Sequence, residues 1–244
     1  MKFVNNVIED LAMQVSLNPD TEEGLVVYNL SLIRNEDLDT VTALVKDAFK
    51  SGITFSGYVK FVESGEQFCG HKIRQGCTGY FSICSTTLDG VLVRKGIPLT
   101  PIGGGVLEVE KRKPTRFIHM ILYKATTIDP LQVLTAQGVT RILDVMYTSN
   151  GNILANIREC HMEAEPQITQ TLEEMSDSGF PGIIELGAPN TPLLGVSIST
   201  DFLGVVAAGG TNPMAAIKEK GMWLETQAMK GLVDVKSMDW IEDF

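Results

Sequence analysis

The sequence predicts an α+β fold made by internal duplication of a β-α-β-β-α-β unit, the element order of ferredoxin-like domains, with a β-α-β connecting piece between the copies. Two observations carry the duplication. When residues 24–112 are laid over 151–238 the glycines fall into step: Gly24 on Gly151, Gly52 on Gly179, Gly57 on Gly182, Gly79 on Gly204, Gly96 on Gly221 and Gly105 on Gly231. The segments between these anchors also match in character, GYFSICS with GVVAAGG, VRKGIPL with KEKGMWL and GVLEVEK with GLVDVKS. An offset that stays between 125 and 127 residues, with a repeated polar and apolar order, is the signature of a copied unit. The boundaries read 24–112 for copy one, 113–150 for the connector and 151–238 for copy two, within a domain of 24–244.

Residues 1–23 come first. Val4, Ile8, Leu11 and Val15 recur at helical spacing with Glu9 and Asp10 on another face, which makes an amphipathic helix. Its apolar stripe needs a cover: the body of the protein, a second subunit or a further domain.

Copy one opens with the extended run LVVYNLSLI, and Asn35 is placed to cap a helix whose Leu38, Val41, Val45, Ala48 and Phe49 form one stripe before Gly52. A strand near 55–63 follows, then the strand GYFSIC. Ser85 or Thr86 then caps a short helix closed by Gly96 and Pro98, and GGVLEVE is the last strand. This order predicts an antiparallel sheet with its helices on one face. The connector reads as a strand at RFIHMILY, a helix from Asp129-Pro130 to Gly138, and a strand at VTRILDVMY. Copy two repeats the first pattern: GNILANIREC, a helix from Pro166, FPGIIEL, LGVVAA, a helix from Asn212-Pro213 to Gly221, and GLVDV.

Composition narrows the function. With 244 residues, 44% of them hydrophobic, the chain has ample material for a packed core, and a formal charge of −10 repels phosphate backbones. Any role on DNA is expected to be borrowed from another domain or partner. No apolar run is long enough to span a bilayer and no signal peptide opens the chain, so a cytoplasmic protein is expected.

Chemistry has one prominent address. Cys84-Ser85-Thr86-Thr87 and Gly209-Gly210-Thr211-Asn212 are equivalent strand-to-helix turns, where free amides, the positive end of a helix dipole and side-chain hydroxyls converge. Such turns suit anions, although the same residues are also ordinary helix caps. Two turns related by a repeat suit the two ends of a dicarboxylate. The candidate ligand-binding residues are Ser85, Thr86, Thr87, Gly210, Thr211, Asn212 and, as the cation, Arg116 at the start of an apolar strand; Lys124 and Arg158 are further cations. The spacing of Cys69, His71, Cys77 and Cys84 fits no common zinc knuckle, and Cys160 and His161 alternate on a strand, so neither a metal site nor a catalytic pair is expected. No nucleophile elbow or phosphate loop occurs. An enzyme acting on a small carboxylic acid and a ligand-independent dimerisation module remain the alternatives to a sensor.

Several long segments resemble the regulatory domain of the NrpR family, archaeal repressors of nitrogen-assimilation genes: CSTTLDGVLVRKGIP at 84–98, GGGVLEVE at 103–110, PTRFIHMILYKATTIDPLQV at 114–133, GNILANIRE at 151–159, GFPGIIELGAPNTPLLGV at 179–196 and GGTNPMAAIKEKG at 209–221. The resemblance implies a homodimeric effector-binding domain for 2-oxoglutarate, with no other cofactor, in which the effector weakens operator binding. Family members usually carry an N-terminal winged helix, whereas here the resemblance begins near residue 24. DNA is then expected to be reached through a winged-helix domain absent from this chain or through a DNA-bound relative. Thr211 stands where the family pattern has an apolar residue, Ala125 replaces a glycine, and Cys160-His161 replaces Ile-Pro.

Overall fold

In the computed structural model, which describes residues 2–244, both copies take the expected order. Helix α1 (Val4–Ala12) precedes copy one, which runs β1 (Leu25–Arg34), α2 (Leu38–Lys50), β2 (Tyr58–Val62), the small hairpin β3 (Gln67–Phe68) and β4 (His71–Lys72), β5 (Cys77–Ile83), α3 (Thr86–Arg94) and β6 (Leu99–Glu110). The connector is β7 (Lys113–Leu122), α4 (Pro130–Gln137) and α5 (Ile142–Thr148). Copy two runs β8 (Gly151–His161), α6 (Glu165–Asp177), β9 (Ile183–Leu186), β10 (Phe202–Ala208), α7 (Asn212–Glu219) and β11 (Leu224–Asp234), and β12 (Asp239–Trp240) follows.

The copies are interlocked. One sheet has the order β11-β1-β5-β2-β12 and the other β7-β6-β8-β10-β9, with every pairing antiparallel. The last strand of copy two therefore lies beside the first strand of copy one, and the last strand of copy one beside the first of copy two. Neither sheet is complete without the other copy, which is a reciprocal strand exchange within one chain.

The exchange overturns the expectation of helices on one face. α2 contributes Val41, Leu44, Val45 and Ala48 to a core that also holds Tyr80, Val206 and the α7 residues Met214 and Ile217. α3 contributes Leu88, Val91 and Leu92 to a second core with Phe81, Val205 and the α6 residues Ile168 and Met175. Tyr80 and Phe81, neighbours on β5, face opposite sides of the sheet, so the two helices of one copy do as well. The cause is that α3 must carry the chain across to the other sheet.

Two local expectations also change. The segment VTRILDVMY holds no strand, and from Ile142 onward it is helix α5. Its first turn is held by a carboxylate from copy two: Glu219 Oε1 accepts from Thr140 Oγ1 at 2.6 Å and from the Ile142 amide at 2.8 Å, and Oε2 accepts from the Leu143 amide at 3.0 Å. Asn35 starts a 3-10 turn (Asn35–Asp37) ahead of α2 and accepts from Thr78 Oγ1 at 3.0 Å instead of capping. Other signals behave as written: Asp129 caps α4 by accepting from the Gln132 amide at 2.8 Å, and Gly96 and Gly221 end α3 and α7 with φ of +77° and +76°.

The stripe of α1 is covered by the body of the same chain. Val4, Ile8, Ala12 and Val15 are buried, Val4 and Ile8 pack with Tyr123, and Val15 presses on Gly90 of α3, where a Cβ would collide with it.

Candidate functional site

The two strand-to-helix turns are built alike, residue for residue. The Cys84 amide donates to the Val27 carbonyl at 2.7 Å and the Gly209 amide to the Leu154 carbonyl at 2.8 Å. Thr87 Oγ1 accepts from the Val27 amide at 3.0 Å, and Asn212 Oδ1 accepts from the Leu154 amide at 2.8 Å. Val27 and Leu154 are equivalent under the repeat, as are Thr87 and Asn212. Each turn is thus pinned to the first strand of its own copy by the same pair of bonds.

The turns also touch each other. A Cβ on Gly210 would collide with the Ile83 carbonyl oxygen and lie 3.2 Å from Cys84 Cα, and Ser82 Oγ donates to the Gly210 carbonyl at 3.1 Å. Only a residue without a side chain lets the mouths of α3 and α7 meet this closely. Equivalent asparagines flank the contact: Asn29 Nδ2 donates to Ser82 Oγ at 3.3 Å, and Asn156 Nδ2 donates to Ser85 Oγ.

Six of the seven candidate residues come together here: Ser85, Thr86, Thr87, Gly210, Thr211 and Asn212, all buried. Their roles divide. Thr87 and Asn212 hold the backbone, and Asn212 Nδ2 also donates to the Ile53 carbonyl at 2.7 Å and the Leu154 carbonyl at 2.9 Å. Ser85 is held by Asn156, and Thr86 Oγ1 accepts from the Cys84 thiol at 3.5 Å. Neither Ser85 nor Thr86 caps α3 with its side chain. Thr211 Oγ1 has no hydrogen-bond partner among the described residues and lines a pocket of about 140 Å³ shared with Gln132, Thr135, Lys218 and Thr226.

Arg116 is not at the turns. Its Nε pairs with Glu108 Oε2 at 3.2 Å, with its side chain 68% exposed. Lys124 is exposed as well. The cation at the turns is Arg158. It forms a two-pronged pair with Asp89 of α3, Nε to Oδ1 at 3.0 Å and Nη2 to Oδ2 at 3.2 Å, with both side chains 3% exposed. Arg158 Nη1 and Asn156 Oδ1 have no partner among the described residues, although buried polar atoms are normally satisfied. The sequence alone does not single out Asp89 or Asn156. The available signal is an Asn and an Arg two apart in ILANIREC, a run otherwise apolar except for Glu159, which places both on one face.

Burial governs the ionisable groups around this cluster. It pushes the Cys84 thiol up to about 11 and the Cys160 thiol up to about 12, which favours the neutral thiol at both positions. Tyr123 is raised well above its ordinary value by the same cause, reinforced by Asp129. Asp129 itself rises to about 6 through burial, which outweighs the amide bonds that favour its charged form. No three His, Cys, Asp or Glu side chains gather as a metal centre among the described residues.

A sequence profile described as NrpR regulatory domains NRD1 and 2 matches residues 1–239, a span that takes in α1. The chain belongs to the NrpR regulatory-domain family. Among its NrpR relatives, the global nitrogen regulator NrpRI of Methanosarcina mazei is 34% identical over 97% of this chain and 72% of its own length. The global nitrogen regulator NrpR of Methanocaldococcus jannaschii is 32% identical over 92% of this chain, but only 38% of its own length is covered. A crystal structure of a nitrogen repressor-like protein from Methanococcus jannaschii superposes with a TM-score of 0.84 at 28% identity, covering 99% of both chains. These NrpR proteins are named as regulators, and the family is one of regulatory domains, not of enzymes. No helix among the described residues is long and apolar enough to cross a membrane.

Proposed function

We propose that this NrpR regulatory domain senses 2-oxoglutarate at the paired turns, as a homodimer. The observation that carries the reading is that three buried polar atoms, each on a turn or on a side chain bonded to α3 or its turn, lack a partner among the described residues: the Thr211 hydroxyl on the second turn, Asn156 Oδ1 beside Ser85, and Arg158 Nη1 beside Asp89. Two of these are donors beside helix N-termini, which is the chemistry a carboxylate needs. The pocket at Thr211 has the scale of a small metabolite and not of a drug-sized ligand. In this reading one carboxylate meets the Thr211 hydroxyl and the Gly210 and Thr211 amides, since the Asn212 amide already donates to the Gly209 carbonyl at 3.0 Å. The other meets Ser85 to Thr87 and the spare guanidinium nitrogen of Arg158. Arg116 takes no direct part.

A dianion bridging the turns favours one arrangement of copy one against copy two, and a coupling of about 1–3 kcal/mol suffices to change the affinity of a DNA-contacting part severalfold. The net charge of −10 argues that this part is not the present domain but a winged helix in the same protein or in a DNA-bound relative.

Calorimetric titration with 2-oxoglutarate, beside glutamate, glutamine and citrate, tests the reading. The expected result is selective binding of 2-oxoglutarate that Thr211→Val weakens about tenfold, the equivalent of one lost hydrogen bond, and that Arg116→Ala leaves unchanged. Absence of 2-oxoglutarate binding to the unaltered protein overturns the sensor reading. Unchanged affinity in Thr211→Val overturns the site.

A further inference from the structure

A second cleft, of about 510 Å³, with no turn residue among its lining, lies where the first helices of the two copies end. Its wall is aromatic. The indole of Trp240 meets Phe49 and Tyr58 edge to face, each at 5.2 Å between ring centroids, with interplanar angles of 82° and 77°. Trp240 is seated on backbone from both copies: a Cβ on Gly57 would lie 2.5 Å from its Cη2, and one on Gly179 would lie 2.9 Å from its Cζ3. The indole N–H donates to Glu242 Oε2 at 3.2 Å, and the Tyr58 hydroxyl donates to Glu22 Oε2 at 3.1 Å. The wall is therefore held in place by its own contacts.

The rim is acidic. Glu22 and Asp177 line the cleft and are exposed, no lysine or arginine is among its lining residues, and neither carboxylate has a salt bridge among the described residues. An aromatic wall with two uncompensated carboxylates at its edge is complementary to a cation that also presents a flat apolar face. Arginine fits better than lysine, because its planar guanidinium stacks on an indole while its N–H fork addresses carboxylates. The overall charge of −10 draws basic segments in and keeps nucleic acid out.

We infer that the Trp240 cleft docks an arginine-bearing segment of a partner protein. The inference is independent of the effector site. To test it, Trp223→Phe leaves Trp240 as the sole indole, and its fluorescence is followed during titration with an end-capped Gly-Arg-Gly-Arg-Gly peptide. Circular dichroism and thermal melting confirm that each variant folds. The expected result is a saturable change that weakens at least tenfold in Glu22→Gln/Asp177→Asn, falls with added salt, and disappears when citrulline, the neutral isostere, replaces arginine. A flat titration, equal affinity for the citrulline peptide or an undiminished response in the double variant overturns the proposal. So does free arginine amide binding as tightly as the peptide, which would make the site one for a metabolite.

Discussion

Arg158 on the first strand of copy two and Asp89 on the second helix of copy one form a buried, two-pronged ion pair across the seam of the duplication. It ties α3 to the sheet that α3 does not complete with its own preceding strand. Removing one partner leaves the other charge unpaired in the interior, which costs about 3–5 kcal/mol. Asp89→Ala is therefore expected to be strongly destabilised in urea unfolding, and Asp89→Ala/Arg158→Met less so than Asp89→Ala alone. A double variant as unstable as the sum of the singles would show that the pair acts separately.

The contact between the turns depends on Gly210. Gly210→Ala drives a methyl into the Ile83 carbonyl and is expected to cost about 1–3 kcal/mol or more through forced backbone movement. Gly221→Ala is the control. Its φ is +76° with nothing near the added methyl, so it costs only the roughly 1 kcal/mol of a left-handed alanine. Equal losses in chemical denaturation would contradict this ranking.

Glu219 organises α5 from a distance of 77 residues in sequence. Glu219→Ala strands the Ile142 and Leu143 amides and the Thr140 hydroxyl, with an expected loss of about 1–3 kcal/mol. Hydrogen exchange should speed up in Ile142–Thr148 before it does in β8. Unaltered exchange there would show that α5 holds its own first turn.

Asp129 gives a pH dependence whose sign is fixed. Its carboxyl titrates at about 6 in the folded protein, raised from 3.8, so between those values the folded state binds more protons than the unfolded state. The stability it contributes is greatest at low pH and is lost as pH rises from about 4 to about 6. Asp129→Asn keeps an oxygen to accept from the Gln132 amide but does not titrate. Relative to the parent protein it should gain stability across that window, by up to about 3 kcal/mol, read from urea midpoints at a series of pH values. A constant difference between the two proteins would place the carboxyl at its ordinary value.

Much of the fold is legible in the chain because its signals are local. Gly96 and Gly221 end equivalent helices by adopting the same left-handed conformation, and Asp129-Pro130 opens α4 with a cap and a first-turn proline. Paired turns at Ser85 to Thr87 and Gly210 to Asn212 follow from the repeat. Failures occur where a distant partner decides. VTRILDVMY has a β-branched, strand-like start, yet Glu219 supplies the acceptors that make it a helix. Arg116 and Arg158 look equally available in sequence, and only packing pairs the first with Glu108 in solvent and the second with Asp89 in the interior.

By itself, then, the sequence determined that there are two copies, the order of elements in each, and which two strand-to-helix turns correspond. Tertiary structure alone decided that the copies exchange their last strands, that α2 and α3 part to opposite faces, and that the cation beside the turns is Arg158. The physical reason is that capping and glycine conformation act within a few residues. Strand pairing depends instead on which edge is open when the chain returns, and a charge is fixed only by the partner that meets it after folding.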